Sequence, residues 1–283
     1  MTFSTPSSKL PANPPSDTTD LPRLLCLHGG GVNAAIFKAQ ARNLIRHLEH
    51  SFRLVWADGP FFCDPHPDVI TVYGSYAPFR RWLRHLPEHP AIDAESTIEE
   101  IGYSLRSAMQ EDDRAGGRGE WVGLMGFSQG AKLAASMLLE QQARERKARE
   151  SGTKLEIGFI GVPVNWRFGV LLAGRAPLAN LNPELLESAA LYDVSGISEA
   201  DFEREVEESI VLTKPTVHVH GMRDPGLHLH RKLYKDYCRR NATVLVEWEG
   251  GHRVPIKTRD VENVMEAIYN TAERCGIEVL RTV

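Results

Sequence analysis

Ser128, in Gly126-Phe127-Ser128-Gln129-Gly130, is the residue best set up for covalent chemistry. An apolar run from Trp121 leads into it, and a helical stretch from Gln129 to about Glu150 leads away. Strand, Gly-x-Ser-x-Gly and helix in that order make a nucleophile elbow, a strained turn that holds the serine oxygen at the carboxyl edge of a sheet. The helix would start at the nucleophile, so its free N–H groups and positive dipole end face any negative charge that develops there. A glycine-rich turn with an idle serine has the same local pattern, so the remaining chain must supply the partners.

A serine hydroxyl is a weak nucleophile at neutral pH and needs a base; the base needs an acid that fixes its tautomer and stabilises its cation. His252 and Asp224 suit these roles. Thr216–Gly221 and Thr243–Trp248 read as strands, and Asp224 and His252 follow just past their carboxyl ends. The order Ser, Asp, His is that of α/β-hydrolases. The oxyanion of an acyl-transfer intermediate needs backbone donors, of which the N–H of Gln129 is the first. The second should come from His28-Gly29-Gly30-Gly31, after the first strand; Gly30 is favoured and Gly31 stays open. Those glycines lack GxGxxG spacing, so they do not read as a dinucleotide loop. His218 and His220 alternate on one strand, with His228 and His230 soon after. No cysteine or carboxylate spacing completes a metal site around them, so neither metal nor cofactor is expected.

These groups need a parallel sheet to gather them. Leu24–Leu27 and Arg53–Ala57, with a helix between them from about Ala35 to Leu48, read as a right-handed βαβ unit. Ser96-Thr97-Ile98-Glu99 has capping-box spacing for a helix that ends before Gly116. Ile157–Val162 reads as a further strand, 180–210 as an acidic cap or solvated excursion, and Thr258–Cys275 as the closing helix. The reading is one α/β domain at 23–283, with a mostly parallel sheet, helices on both faces and a loop or cap over the site. Residues 1–22 read as a disordered tail.

The stretch from Phe61 to about Pro90 is rich in proline, histidine and aromatics, and follows a strand's carboxyl end. It is either a functional loop over the site or a surface excursion. Phe61, Phe62, Tyr73, Tyr76 and Trp82, together with Trp166 and Phe168, are candidates to line an apolar acyl pocket. Arg80, Arg81 and Arg84 read as a solvated face.

At 283 residues, 42% hydrophobic, the chain can bury one large core, and its net charge of −4 gives no general attraction to nucleic acid or anionic membranes. No apolar run reaches the roughly eighteen residues of a membrane span. Four scattered cysteines suggest reduced thiols and a cytoplasmic protein.

Taken together, Leu25-Cys26-Leu27-His28-Gly29, Trp56-Ala57-Asp58-Gly59-Pro60, the elbow, Thr216–Gly221 with Asp224-Pro225, and Gly250-Gly251-His252-Arg253-Val254-Pro255 resemble the fungal family of serine hydrolases known as FSH. The resemblance covers most of the chain from Arg23 onward. It implies an α/β-hydrolase fold and an esterase or thioesterase. It also implies, as for members encoded beside polyketide synthases, release of an acyl chain from a carrier domain. The chain departs from relatives in its triple glycine after His28 and its long charged helix after the elbow. The expected activity is hydrolysis of a hydrophobic acyl ester or thioester through an acyl-enzyme on Ser128. A small-ester carboxylesterase and a non-catalytic binding protein on the same fold are the alternatives.

Overall fold

The structure, a computed structural model, describes residues 17–197 and 204–281. Its elements are β1 (Arg23–Leu27), α1 (Ala34–Gln40), α2 (Arg42–Leu48), β2 (Arg53–Ala57), β3 (Phe61–Phe62), α3 (Pro67–Tyr73), β4 (Arg80–Arg81), α4 (Ala94–Arg114), β5 (Trp121–Phe127) and α5 (Gln129–Ser151). There follow β6 (Phe168–Leu172), β7 (Ala179–Asn180), β8 (Tyr192–Asp193), β9 (Thr216–Gly221), α6 (Leu227–Asp236), β10 (Thr243–Trp248) and α7 (Thr258–Arg274).

Six strands form one sheet in the order β10-β9-β6-β5-β1-β2, and every neighbouring pair is parallel. The inner strands β1, β5 and β6 are buried along their whole length because both faces of the sheet are covered. Leu25, Leu27 and Leu124 pack with Ile101 of α4 and Leu133 and Leu138 of α5. The alternate residues Leu24, Cys26 and Met125 pack with Phe37 of α1, Leu44 of α2 and Ile268 of α7. From β2 at the sheet edge the chain crosses back to β5 on the other side of β1. The crevice between the carboxyl ends of β1 and β5 is therefore a topological switch point, where open parallel sheets bind ligands.

The fold departs from the sequence reading in several places. Ile157–Val162 is not a strand: Gly161, at φ 76°, closes a turn by donating its N–H to the Gly158 carbonyl at 2.8 Å. Arg144 reaches beside Gly158 to donate to the Glu156 carbonyl at 2.6 Å. The strand in this part of the sheet is β6, all five residues of which are buried. The helix expected from Ala35 to Leu48 is broken at Ala41, and α4 starts earlier than the capping box suggests, because Asp93 accepts the Ser96 N–H at 2.8 Å. A charged carboxylate is a stronger cap than the Ser96 hydroxyl, which itself donates to Asp93. The Phe61–Pro90 stretch contains β3, α3 and β4. Arg81 is not part of a solvated face, since only 2% of it is exposed and its guanidinium lies 4.8 Å over the Phe61 ring. The segment 179–197 is no solvated excursion, for Leu186, Ala190 and Tyr192 join the core; Glu203 lies outside the described residues. Of the tail, residues 1–16 lie outside the described residues. The Thr19 carbonyl, near its end, accepts N–H groups of Arg118 and Gly119 at 2.7 and 3.0 Å.

Candidate active site

Ser128 sits between β5 and α5 with φ 53° and ψ −113°, a conformation that L residues rarely adopt. The surroundings over-determine it. Its N–H donates to the Leu172 carbonyl at 2.8 Å, and its own carbonyl accepts from Ala131 and Lys132 at 3.1 Å each. The two elbow glycines are required by close approach: a Cβ on Gly126 would fall on the Gly130 carbonyl, and one on Gly130 would fall on the Leu27 carbonyl oxygen. The start of α5 is thus pressed against the ends of both β5 and β1.

The loops after β9 and β10 bring two side chains to the same edge. His252 Nε2 lies 2.9 Å from Ser128 Oγ, and His252 Nδ1 lies 2.6 Å from Asp224 Oδ2. A carboxylate only accepts, so Nδ1 carries the proton in this pair and the Nε2 lone pair faces the serine hydroxyl. The array can take a proton from Ser128 as its oxygen attacks a carbonyl, with Asp224 stabilising the imidazolium formed. The Asp224 side chain is fully buried, and Oδ1 accepts the Gly226 N–H at 2.8 Å. Burial alone would raise its pKa. Contacts from His230 and His252, the charge on His252 and the Gly226 N–H outweigh burial and hold the carboxyl well below the usual carboxylate range.

The loop after β1 separates the two candidate oxyanion glycines. The Gly31 N–H is given to the Arg80 carbonyl at 3.0 Å, and the Arg80 N–H returns to Val32 at 2.8 Å. Among the described residues no backbone carbonyl takes the N–H of Gly30. A Cβ on Gly30 would stand 3.4 Å from the Gln129 side chain, so this glycine faces the start of α5. His28 is scaffold: fully buried, it accepts the Gly59 N–H on Nε2 at 2.8 Å, and burial pushes its pKa down to about 4.

The Gln129 side chain has a role that sequence reading missed. Its Oε1 accepts the N–H groups of Trp82 and Leu83 at 2.7 and 3.1 Å, and its Nε2 donates to the Leu83 carbonyl at 3.0 Å. This ties the 82–85 loop to the start of α5. Trp82 consequently lines no open pocket; it is fully buried, its indole N–H donates to the His28 carbonyl at 2.9 Å, and its ring packs tilted against His28. Trp166 and Phe168 are also misplaced by the sequence reading. Both are buried at the amino end of the sheet, Trp166 against Trp121 and Phe168 against Phe52, whereas Ser128 lies at the carboxyl end. Phe61, Phe62, Tyr73 and Tyr76 lie in the segment packed on the loop after β1. Their segment is held to the loop after β1 by Asn33, which donates to the carbonyls of Tyr76 and Pro78 at 2.6 and 3.0 Å. Phe62 is 62% exposed with Arg80 stacked on it, Phe61 is half-buried, and Tyr73 and Tyr76 pair edge to face.

Sequence reading weighed His230 only as a metal ligand and set it aside, and it missed Arg175 and Lys132. His230 lies on α6, a helix not anticipated although Leu229 and Leu233 have helical spacing. The Arg175 guanidinium is 3.8 Å from Asp224 Oδ1. Lys132, one turn beyond Ser128, is buried beside the Tyr192 ring, and burial reinforced by the charge of Arg175 pushes its pKa down to about 7. Among the described residues the one cluster dense enough in ligand atoms for a metal is Asp224, His230 and His252; His218 and His220 do not join it.

The parallel sheet, the elbow and the loops that converge on it define an α/β-hydrolase. A family model described as Serine hydrolase (FSH1) matches residues 18–264, and the chain belongs to that family. It is a serine hydrolase acting on esters. It is 50% identical over 275 residues to the esterase pigG of Monascus ruber, which covers 95% of this chain and 98% of that one. It is 49% identical over 260 residues to the esterase citA of the same organism, over 92% of this chain and 95% of that one. Among solved structures it resembles in fold the Zea mays acyl-protein thioesterase 2, with a TM-score of 0.50 and 16% identity over 92% of this chain and 96% of that one.

Proposed function

We propose that Ser128 is the nucleophile, His252 the general base and Asp224 the residue that orients it, with the N–H groups of Gly30 and Gln129 as oxyanion donors. The observation that carries this reading is the continuous proton path from Ser128 Oγ to His252 at 2.9 Å and on to Asp224 at 2.6 Å. The substrate is a hydrophobic acyl ester or thioester. Ser128 Oγ bonds to the acyl carbon, the thiol or alcohol leaves with the proton relayed by His252, and water then releases the acid. Thioesters are the better fit, because a thiolate leaves more easily than an alkoxide and the array offers one relayed proton. A carrier-bound acyl chain from a polyketide synthase, met in the cytoplasm, is the source we favour, and no helix among the described residues is long and apolar enough to cross a membrane.

The aromatic segment beside the oxyanion loop supports selection for large acyl groups. N-acetylcysteamine thioesters of rising acyl size test it, with wild type, Phe61→Ala and Tyr76→Ala. Bulky acyl groups should exceed acetyl by a factor of about ten or more in kcat/KM, since each buried methylene is worth about 0.8 kcal/mol. The two variants should flatten that preference. Best turnover of acetyl, or an unaltered size preference in both variants, would favour a small-ester carboxylesterase instead.

A further inference from the structure

Behind Asp224 stands a second imidazole that a Ser-His-Asp array does not require. His230 is fully buried, and its ring is nearly parallel to that of His252, at 15° and 6.1 Å between centroids. Its Nδ1 lies 2.8 Å from the Gly174 carbonyl oxygen. Its Nε2 lies 2.9 Å from Asp224 Oδ2, a close charge-pair contact outside hydrogen-bond geometry, and this is the same oxygen that His252 reaches at 2.6 Å. A carbonyl and a carboxylate can only accept. Nδ1 therefore carries a proton, and the contact at Nε2 is attractive only if that nitrogen carries one too. A neutral ring would turn a lone pair onto a buried carboxylate.

We propose that His230 is a positioning residue, a doubly protonated imidazole clamped between the Gly174 carbonyl and Asp224 Oδ2 that aims the carboxylate at His252 and offsets part of its charge. The inference rests on the Ser128, His252 and Asp224 reading above. The groups around His230 are consistent with it. Asp224 and His252 face it from the loops after β9 and β10, and Arg175, after β6, adds a partial contact to the other carboxylate oxygen at 3.8 Å. His220 of β9 lies 5.6 Å away ring to ring, with His218 and Tyr234 beyond it. Arg231, next along α6, is paired with Glu247 at 3.2 Å. Burial, with positive charge from the neighbouring imidazoles, pushes His218 and His220 down to about 3, so neither brings a competing proton to Asp224.

Clamp and charge have separable consequences. Without the clamp Asp224 can turn from His252, which lowers kcat. Without the charge the carboxylate holds the His252 proton more firmly, so the acid limb of the kcat/KM profile moves to higher pH. Gln places a neutral donor near the position of Nε2, whereas Leu places none.

The test uses the full chain with a p-nitrophenyl ester of a hydrophobic acid, comparing wild type, His230→Gln and His230→Leu. His230→Leu should lower kcat by about tenfold to a hundredfold with KM little changed, the scale of a misplaced catalytic group. Its acid limb should rise by roughly one pH unit. His230→Gln should recover most of kcat while keeping the raised limb. Side-chain ¹⁵N spectra of the wild type should show both His230 nitrogens protonated, a readout that stands even if the Leu variant fails to fold. An unprotonated His230 nitrogen, or a His230→Gln profile superimposed on wild type, would overturn the proposal. Labelling of wild type by a fluorophosphonate keeps the two readings apart. An unlabelled Ser128 would defeat the underlying array, whereas normal labelling with an unmoved profile would defeat His230 alone.

Discussion

The site joins two halves built by different physics. At the ends of β1 and β5 the parts are backbone: a strained serine, the N–H groups proposed as oxyanion donors, and glycines so closely approached that a Cβ would strike a neighbouring carbonyl. At the ends of β9 and β10 the parts are side chains: Asp224 and His230 are buried and His252 lies at the surface, all joined through one carboxylate oxygen. Shape sets the first half; proton positions set the second. Substitutions in the first should act through geometry, and those in the second through charge and pH.

The largest effects should come where the halves meet. Ser128→Ala should remove turnover by something on the order of a millionfold, and Asp224→Asn by about ten thousandfold, as in other arrays of this kind. The thermal midpoint of Ser128→Ala should stay close to wild type, and steady-state kinetics with melting curves check both. Substantial turnover by Ser128→Ala would end the comparison.

Smaller and purely geometric is the loss of one oxyanion donor. Gly30→Pro deletes the N–H and should lower kcat by about a hundredfold with substrate binding much less affected. Gly31→Ala is the contrast. Its N–H is already given to Arg80 and its φ is 76°, so it should cost stability of about 1 kcal/mol with kcat changed only a few-fold. Equal kinetic effects at the two positions would show that the donor lies elsewhere.

The effect confined to buried imidazoles leaves turnover aside and falls on stability. His28 is pushed down to about 4, and His218 and His220 to about 3, in each case by burial first, from an ordinary 6.5. Between those values the unfolded chain binds more protons than the folded one, so stability is full above about pH 6.5 and falls as pH drops toward 4. Each histidine contributes up to about 1.4 kcal/mol per pH unit in that window. Urea midpoints should fall steadily from pH 7 to 5, and less steeply in His220→Phe. Equal slopes in the two proteins would deny His220 this role.

Much of this was legible in the sequence because it follows the strand ends. Ser128, Asp224 and His252 each stand a few residues past a recognisable strand, and a parallel sheet brings such positions to one edge. The choice between Gly30 and Gly31 was left open by sequence, and the contact that bears on it, the Gly31 N–H to the Arg80 carbonyl, lies about fifty residues away and leaves no local signal. Aromatic residues were harder, because identity does not say which end of the sheet a side chain occupies. Trp166 and Phe168 went to the amino end, and Trp82 was drawn under the loop by Gln129. Ile157–Val162 resembled a strand by apolar content, but glycines three residues apart favoured a turn, and the continuous run Phe168–Leu172 took the place in the sheet. His230 was invisible as a partner of Asp224, since its role depends on the Gly174 carbonyl, supplied by a distant loop.

The central claim is that one serine is activated by one histidine, and a fluorophosphonate probe tests it most directly. The intact protein should gain the mass of a single adduct, peptide mapping should put it on Ser128, and His252→Ala should slow its formation by several orders of magnitude. A wild-type protein that stays unlabelled, or an adduct on any other residue, would contradict the account.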